Sequence, residues 1–264
     1  MPPDCRKTGE RLVPELYSSE PDYILYLRHL FAYRFATSLI RRSDAVLDLG
    51  SGTGYGTRLL AEHARTVVGV DVEPDVVAAA NATYGSEQCR FTTYGGLRLP
   101  FETAEFDAVT SFQTIEHAGD DRTFADEVRR VLRPGGTFIL TTPNRLTRVP
   151  SGRRPWNRFH VREYTPAELE GLLRASFGEV TIHGIRASRA IETIEGARVA
   201  AANRLARLDP LNLRHLIPAG LIARLRRRRP ETSAHDFTRL HGLDDFYADA
   251  GGAAGGMDLL AVCR

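Results

Sequence analysis

Ala45-Val46-Leu47-Asp48-Leu49-Gly50-Ser51-Gly52-Thr53-Gly54 runs from a short apolar strand directly into a turn with three alternating glycines. A strand of this kind, buried on both faces and followed at once by a tight turn and a helical run near Thr57–His63, is the opening unit of an α/β sheet. The alternation continues downstream. Thr66–Val70 reads as a strand with Asp71 at its end, Asp75–Tyr84 as a helix, and Arg90–Thr93 and Asp107–Phe112 as strands. Asp121–Leu132 is an amphipathic helix stopped by Arg133-Pro134-Gly135-Gly136, and Thr137–Thr141 is a strand. Thr165-Pro166 opens another helix, with Glu168 completing a capping box. Val180–Ile185 and Asp258–Cys263 supply the last strands, and upstream the aromatic segment 22–40 has helical spacing. Strands alternating with helices predict an open, mostly parallel sheet with helices on both faces. Such sheets bind ligands beyond the carboxyl ends of their strands, here just after Leu49, Val70, Phe112 and Thr142.

Two carboxylates occupy those ends. Asp48 lies two residues before the first glycine, and Asp71 follows Gly50 by 21 residues. The dinucleotide pattern G-x-G-x-x-G fails, because Tyr55 stands at its sixth position. An acid this close to the turn repels a diphosphate and suits an ammonium, while Asp71 can accept from both hydroxyls of a ribose. A ligand with a cationic amine at one end and a ribose at the other satisfies both acids. A nicotinamide dehydrogenase is correspondingly disfavoured.

The 264 residues carry 42% hydrophobic and 26% charged residues, enough for a packed core. No apolar run reaches the roughly 18 residues of a membrane span, and the polar start MPPDCRKTGE is not a secretory signal. Cys5, Cys89 and Cys263 form neither a disulfide framework nor a zinc-ligand spacing, which points to a reducing cytoplasm. Lys+Arg (35) nearly balance Asp+Glu (33), yet eleven arginines against Glu192, Glu195 and Asp209 give the segment Arg186–Pro230 a net charge of 11 − 3 = +8. The chain therefore divides into an N-terminal lid and helix (1–44), a cofactor-binding core (45–185), a basic helical insert (186–235) and C-terminal strands (236–264).

Taken together, Val46–Gly54, Gly69-Val70-Asp71, Leu99-Pro100-Phe101, Phe106-Asp107, Glu116-His117 and Leu132–Gly136 resemble the class I S-adenosylmethionine-dependent methyltransferases. The resemblance implies a Rossmann-like sheet of seven strands. It also implies a cofactor seat made by Asp48, Gly50, Gly52 and Gly54 for the methionine moiety, Asp71 for the ribose, and Val72 and Gln113 beside them. Gly95 stands where the family often has an acid for the adenine amino group, so backbone groups and stacking are expected to hold the base. Thr8-Gly9-Glu10-Arg11 and the loop Trp156–Tyr164 resemble a bacterial subgroup associated with glycan and polysaccharide modification. Ala32 departs from that subgroup, which often has Arg there.

A sugar hydroxyl needs help to lose its proton, and a positioned base contributes about 100- to 10,000-fold. His160 is the first candidate base and His117 the second, with Glu163 orienting an imidazole. Arg11, Tyr33, Arg145, Trp156 and Tyr164 are expected to contact the acceptor. Acids that could hold a metal do not cluster in the right loops, so none is expected. The expected reaction is O-methylation of a carbohydrate or small secondary metabolite. The alternatives are N- or C-methylation and non-catalytic adenosylmethionine binding. Nucleic acid is not an expected partner. The basic insert, punctuated by prolines and ending in Arg226–Arg229, reads as a solvated helical hairpin, a lid, or a surface for anionic lipid.

Overall fold

The computed structural model describes residues 17, 19–150, 153, 155–157, 159–208 and 237–264. An eight-stranded sheet in the order β3-β2-β1-β4-β5-β8-β6-β7 forms its centre. The first five strands in that order are β3 (Cys89–Thr93), β2 (Thr66–Asp71), β1 (Ala45–Leu49), β4 (Phe106–Phe112) and β5 (Leu132–Pro143), all parallel to one another. The last strand, β8 (Asp258–Cys263), inserts antiparallel between β5 and β6 (Val180–Ala187). The strand order reverses between β1 and β4, which opens a crevice at their carboxyl ends.

The fold class and element order follow the sequence pattern, with two differences. An eighth strand, β7 (Phe246–Asp249), pairs antiparallel with β6 at the sheet edge. At four residues it is too short to show alternation. The segment Arg133–Gly136 does stop helix α4 (Asp121–Val131), but it forms the start of β5 rather than a free turn. There the register shifts between the Phe106 and Ala108 pairings, and Gly135 takes φ +76°.

Helix α1 (Glu20–Thr37) buries Ile24, Leu27, Ala32, Tyr33 and Ala36, a stripe at helical spacing. Helices α2 (Tyr55–Ala61) and α3 (Pro74–Tyr84) follow β1 and β2; α5 (Arg145–Arg148) follows β5, and α6 (Pro166–Arg174) precedes β6. In α6 the Thr165 side chain accepts from the Glu168 amide while Glu168 accepts from the Thr165 amide. Replacing this cap, Thr165→Ala, is expected to cost about 1 kcal/mol in urea unfolding without altering ligand affinity.

Helix α7 (Arg189–Leu208) is the described part of the basic insert; residues 209–236, with Arg226–Arg229, lie outside the described residues. This helix is fastened by buried charge. Arg28 of α1, 2% exposed, reaches Glu195 of α7 at 3.1 Å and Asp258 of β8 at 2.8 Å. Glu195 also pairs with Arg198. Among the described residues Cys89 and Cys263 are free and buried. No described helix is long and apolar enough to cross a membrane.

Candidate functional site

The crevice at the strand-order switch holds a cavity of about 450 Å³, lined by residues of the glycine turn, α1, and the ends of β2 and β4. Its floor is the turn after β1. Gly50 (φ +84°), Gly52 (φ +52°) and Gly54 (φ +88°) all adopt left-handed backbone, and a Cβ on Gly50 would overlap Thr114. The amides of Gly50 and Ser51 both donate to the Val70 carbonyl at 2.9 Å, which folds the turn back onto β2. Gly50 and Gly52 line the cavity; Gly54 instead caps α2 and packs against Phe91 and Ala80.

Asp71 lines the cavity with its carboxylate fixed from behind. Oδ2 accepts from the Gly52 amide at 3.1 Å and Oδ1 from the Glu73 amide at 3.0 Å. Val72 and Tyr94 line the cavity beside it with Gly96, while Gly95 offers no side chain. Gln113, at φ +52°, also lines it; its amide donates to the Thr141 carbonyl and its Nε2 to Thr141 Oγ1.

Asp48 is placed differently from the expectation. It is 1% exposed and does not line the cavity. Three hydroxyls surround its carboxylate: Thr57 Oγ1 at 2.6 Å, Thr110 Oγ1 at 2.9 Å and Tyr33 Oη at 3.2 Å. Burial pushes its pKa up to about 6, against the pull of those three donors. Asp48 therefore ties β1 to α1, α2 and β4 through these hydroxyls. Tyr33 does line the cavity, edge-on to Phe112 at 4.7 Å, and its ring fills the space left by Gly56, where a Cβ would overlap it. Spacing in the sequence cannot distinguish a carboxylate facing a ligand from one facing three hydroxyls.

On the opposite side of the cavity lie His117, Ala118, Gly119, Phe124 and Phe159. His117 belongs to the turn Ile115–His117 after β4, and its Nδ1 donates to the Phe159 carbonyl at 2.9 Å. The Glu116 carbonyl accepts from the amides of Val161 and Arg162, so this turn and the loop after β5 are tied by backbone. That tie brings His160 to His117, with ring centroids 5.0 Å apart and planes at 83°. His160 Nδ1 in turn donates to Glu163 Oε1 at 2.7 Å, and Arg148 Nε stands 3.5 Å from the same oxygen. The structure thus joins His117, His160 and Glu163, which the sequence could only nominate separately.

Sequence reasoning gave no role to two residues here. Glu116 is fully buried; Oε2 accepts from Thr142 Oγ1 at 3.0 Å, and burial pushes its pKa up to about 8. His29 lines the cavity from α1, and its pKa falls to about 3 through burial and the neighbouring Arg28, so its imidazole is neutral. The run Glu116-His117 was the only available signal for the first.

Three of the expected acceptor contacts have other partners in the structure. Trp156 does not line the cavity; the guanidiniums of Arg148 and Arg198 lie over its ring, 4.9 and 5.7 Å from the centroid. Tyr164 is 1% exposed, core-packed, and donates to Asp121 Oδ2 at 3.0 Å. Arg145 pairs with Glu168 at 3.7 Å outside the cavity. Aromatic and basic residue types look the same in sequence whether they bind a ligand or brace a loop. Arg11 lies outside the described residues.

A glycine floor that brings backbone close to a ligand, and a carboxylate at the end of β2, fit a nucleoside with an amino-acid tail. The comparisons agree. The Methyltransferase domain family matches residues 47–140. A probable S-adenosylmethionine-dependent methyltransferase of Mycolicibacterium smegmatis is 41% identical over 181 residues, 68% of each chain. A ubiquinone biosynthesis O-methyltransferase of Paramagnetospirillum magneticum is 29% identical over 60% of this chain and 70% of the relative. The fold is shared with a solved S-adenosylmethionine-dependent methyltransferase of Thermotoga maritima, described as a possible histamine N-methyltransferase (TM-score 0.57, 15% identity, 90% of this chain and 91% of that one). With motifs, cavity and relatives in accord, this chain belongs to the S-adenosylmethionine-dependent methyltransferases.

Proposed function

We propose that the enzyme transfers the methyl group to a hydroxyl oxygen of a carbohydrate or small secondary metabolite. The observation that carries this reading is the His160–Glu163 pair packed behind His117, which lines the cavity with Phe159; His160 and Glu163 do not line it themselves. Transfer to oxygen requires loss of the hydroxyl proton, which transfer to a neutral amine does not require before attack. An imidazole whose Nδ1 proton is held by a buried carboxylate presents its lone pair on Nε2, the form a general base needs. The resemblance to an O-methyltransferase of quinone biosynthesis supports the same acceptor atom.

Bound adenosylmethionine supplies a methyl group already activated on a positive sulfur. In this reading Asp71 takes the ribose diol, and Val72, Tyr94 and Gly96 enclose the base. Gly50, Gly52 and Gln113 border the methionine tail, with Asp48 acting on its ammonium from one layer below. Aligning the two reactants is worth about 7–11 kcal/mol in well-oriented cases. Phe124 and Phe159 supply an apolar wall that excludes water.

Methyl-labelled adenosylmethionine incubated with fractionated extracts identifies the acceptor. With it in hand, His160→Gln is expected to lower turnover about 100- to 10,000-fold while leaving adenosylhomocysteine affinity unchanged. A labelled nitrogen or carbon, or undiminished turnover in the variant, rejects the reading.

A further inference from the structure

We propose that Glu116, His117 and His160 form a binding site for a first-row divalent cation at the acceptor side of the cavity. One ligand atom from each lies within 4.8 Å of the others. Donors around a tetrahedral ion stand roughly 3.5 Å apart, given ligand bonds of about 2.0–2.2 Å, so small side-chain rotations close the set. The expectation that no metal binds rested on acids failing to cluster; here the fold assembles one acid with two imidazoles from segments about forty residues apart in the chain.

The surroundings match what metal-bound side chains require. An imidazole that ligates through one nitrogen ordinarily donates the other N–H to a carbonyl or carboxylate, which fixes tautomer and ring plane. His117 does so to the Phe159 carbonyl at 2.9 Å, and His160 does so to Glu163 at 2.7 Å. Both lone pairs are thereby assigned to Nε2. Independently, Glu116 is 0% exposed and its Oε1 has no hydrogen-bond partner among the described residues, while Oε2 is anchored by Thr142. A buried carboxyl oxygen without a partner is costly, and a cation bound beside it would supply one.

Two nitrogens and one carboxylate select Zn²⁺, Co²⁺, Mn²⁺ or Fe²⁺ over Ca²⁺ and Mg²⁺, which favour oxygen ligands. Three protein ligands leave coordination positions open, as in catalytic rather than structural sites. His117, which lines the cavity, sets the open side toward the acceptor.

The consequence for chemistry rests on the oxygen-acceptor reading. A hydroxyl bound to the cation loses its proton to solvent more readily. Its oxygen then forms the bond to the methyl carbon as the carbon–sulfur bond breaks, with that pair passing to sulfur. His160 is then a ligand and not the direct base, a refinement of its assigned role.

The test uses the full chain, stripped with chelator and titrated with Co²⁺ alone by visible absorption and with Zn²⁺ alone by calorimetry. One cation per chain is expected. His160→Gln and Glu116→Gln should each weaken it by at least about 100-fold, and Glu163→Gln by about 10- to 100-fold, since outer partners cost that much. Circular dichroism and adenosylhomocysteine binding establish that each variant is folded; His160→Gln serves if Glu116→Gln is not. Wild type taking up no more cation than folded His160→Gln overturns the proposal. Cation binding together with a nitrogen-methylated product retains the site and removes the oxygen reading. An oxygen-methylated product without cation binding does the reverse.

Discussion

Asp71→Ala is expected to weaken adenosylmethionine and adenosylhomocysteine binding by roughly 100- to 1,000-fold. A carboxylate that accepts from both hydroxyls of a ribose makes two charge-assisted hydrogen bonds, each worth about 1.5–3 kcal/mol. Losing both removes at least about 3 kcal/mol, and every 1.4 kcal/mol is about tenfold. The same carboxylate holds the amides of Gly52 and Glu73, so its removal also loosens the turn that forms the cavity floor. Asp71→Asn keeps one accepting oxygen and the shape, and should fall between the two. Calorimetry with adenosylhomocysteine measures the series. A change smaller than about threefold in the Ala variant, accompanied by tight NADH binding, would sink the assignment of the β2 carboxylate and the cofactor orientation built on it.

Arg28→Met should cost the largest share of stability, about 3–5 kcal/mol, because it leaves Asp258 and Glu195 buried without their shared cation. Glu195 is held down to about 2 by Arg28 and Arg198 against its burial, whereas burial raises Asp258 despite Arg28, Arg148 and Arg198 nearby. The signs follow. The stabilisation carried by Glu195 is complete above the ordinary carboxylate range and is lost as pH falls toward 2. Asp258 contributes in the opposite direction, since its folded form holds a proton more tightly. Removing Arg28 takes away the first of the charges that hold Glu195 down and leaves Arg198 in place, so the acid limb of the stability profile should become shallower as its neutral-pH plateau drops. Urea unfolding across pH 3–7 checks both. A loss below about 1 kcal/mol at neutral pH would show that the ion group does not fasten α7 to the sheet.

What the sequence disclosed was governed by short range. The strand-turn-helix at Ala45–Ala61, the α6 cap at Thr165 and Glu168, and Asp71 at a strand end each depend on neighbours a few positions away. What it withheld depends on long-range placement. The Arg28–Glu195 contact joins residues 167 apart, and the tie between His117 and Phe159 joins residues 42 apart. Neither residue type nor spacing announces such meetings. Asp48 shows the intermediate case: its position was legible, while the three hydroxyls that face it come from α1, α2 and β4.

The absent side chain at Gly56 has a reach beyond its own helix. Any substituent there must evict the Tyr33 phenol, and with it goes one of the hydroxyls that keep the Asp48 charge tolerable in a dry setting. A purely steric change on α2 would then be registered as a shift in ionisation below the cavity floor. In this protein, bulk at one point and charge at another are a single variable.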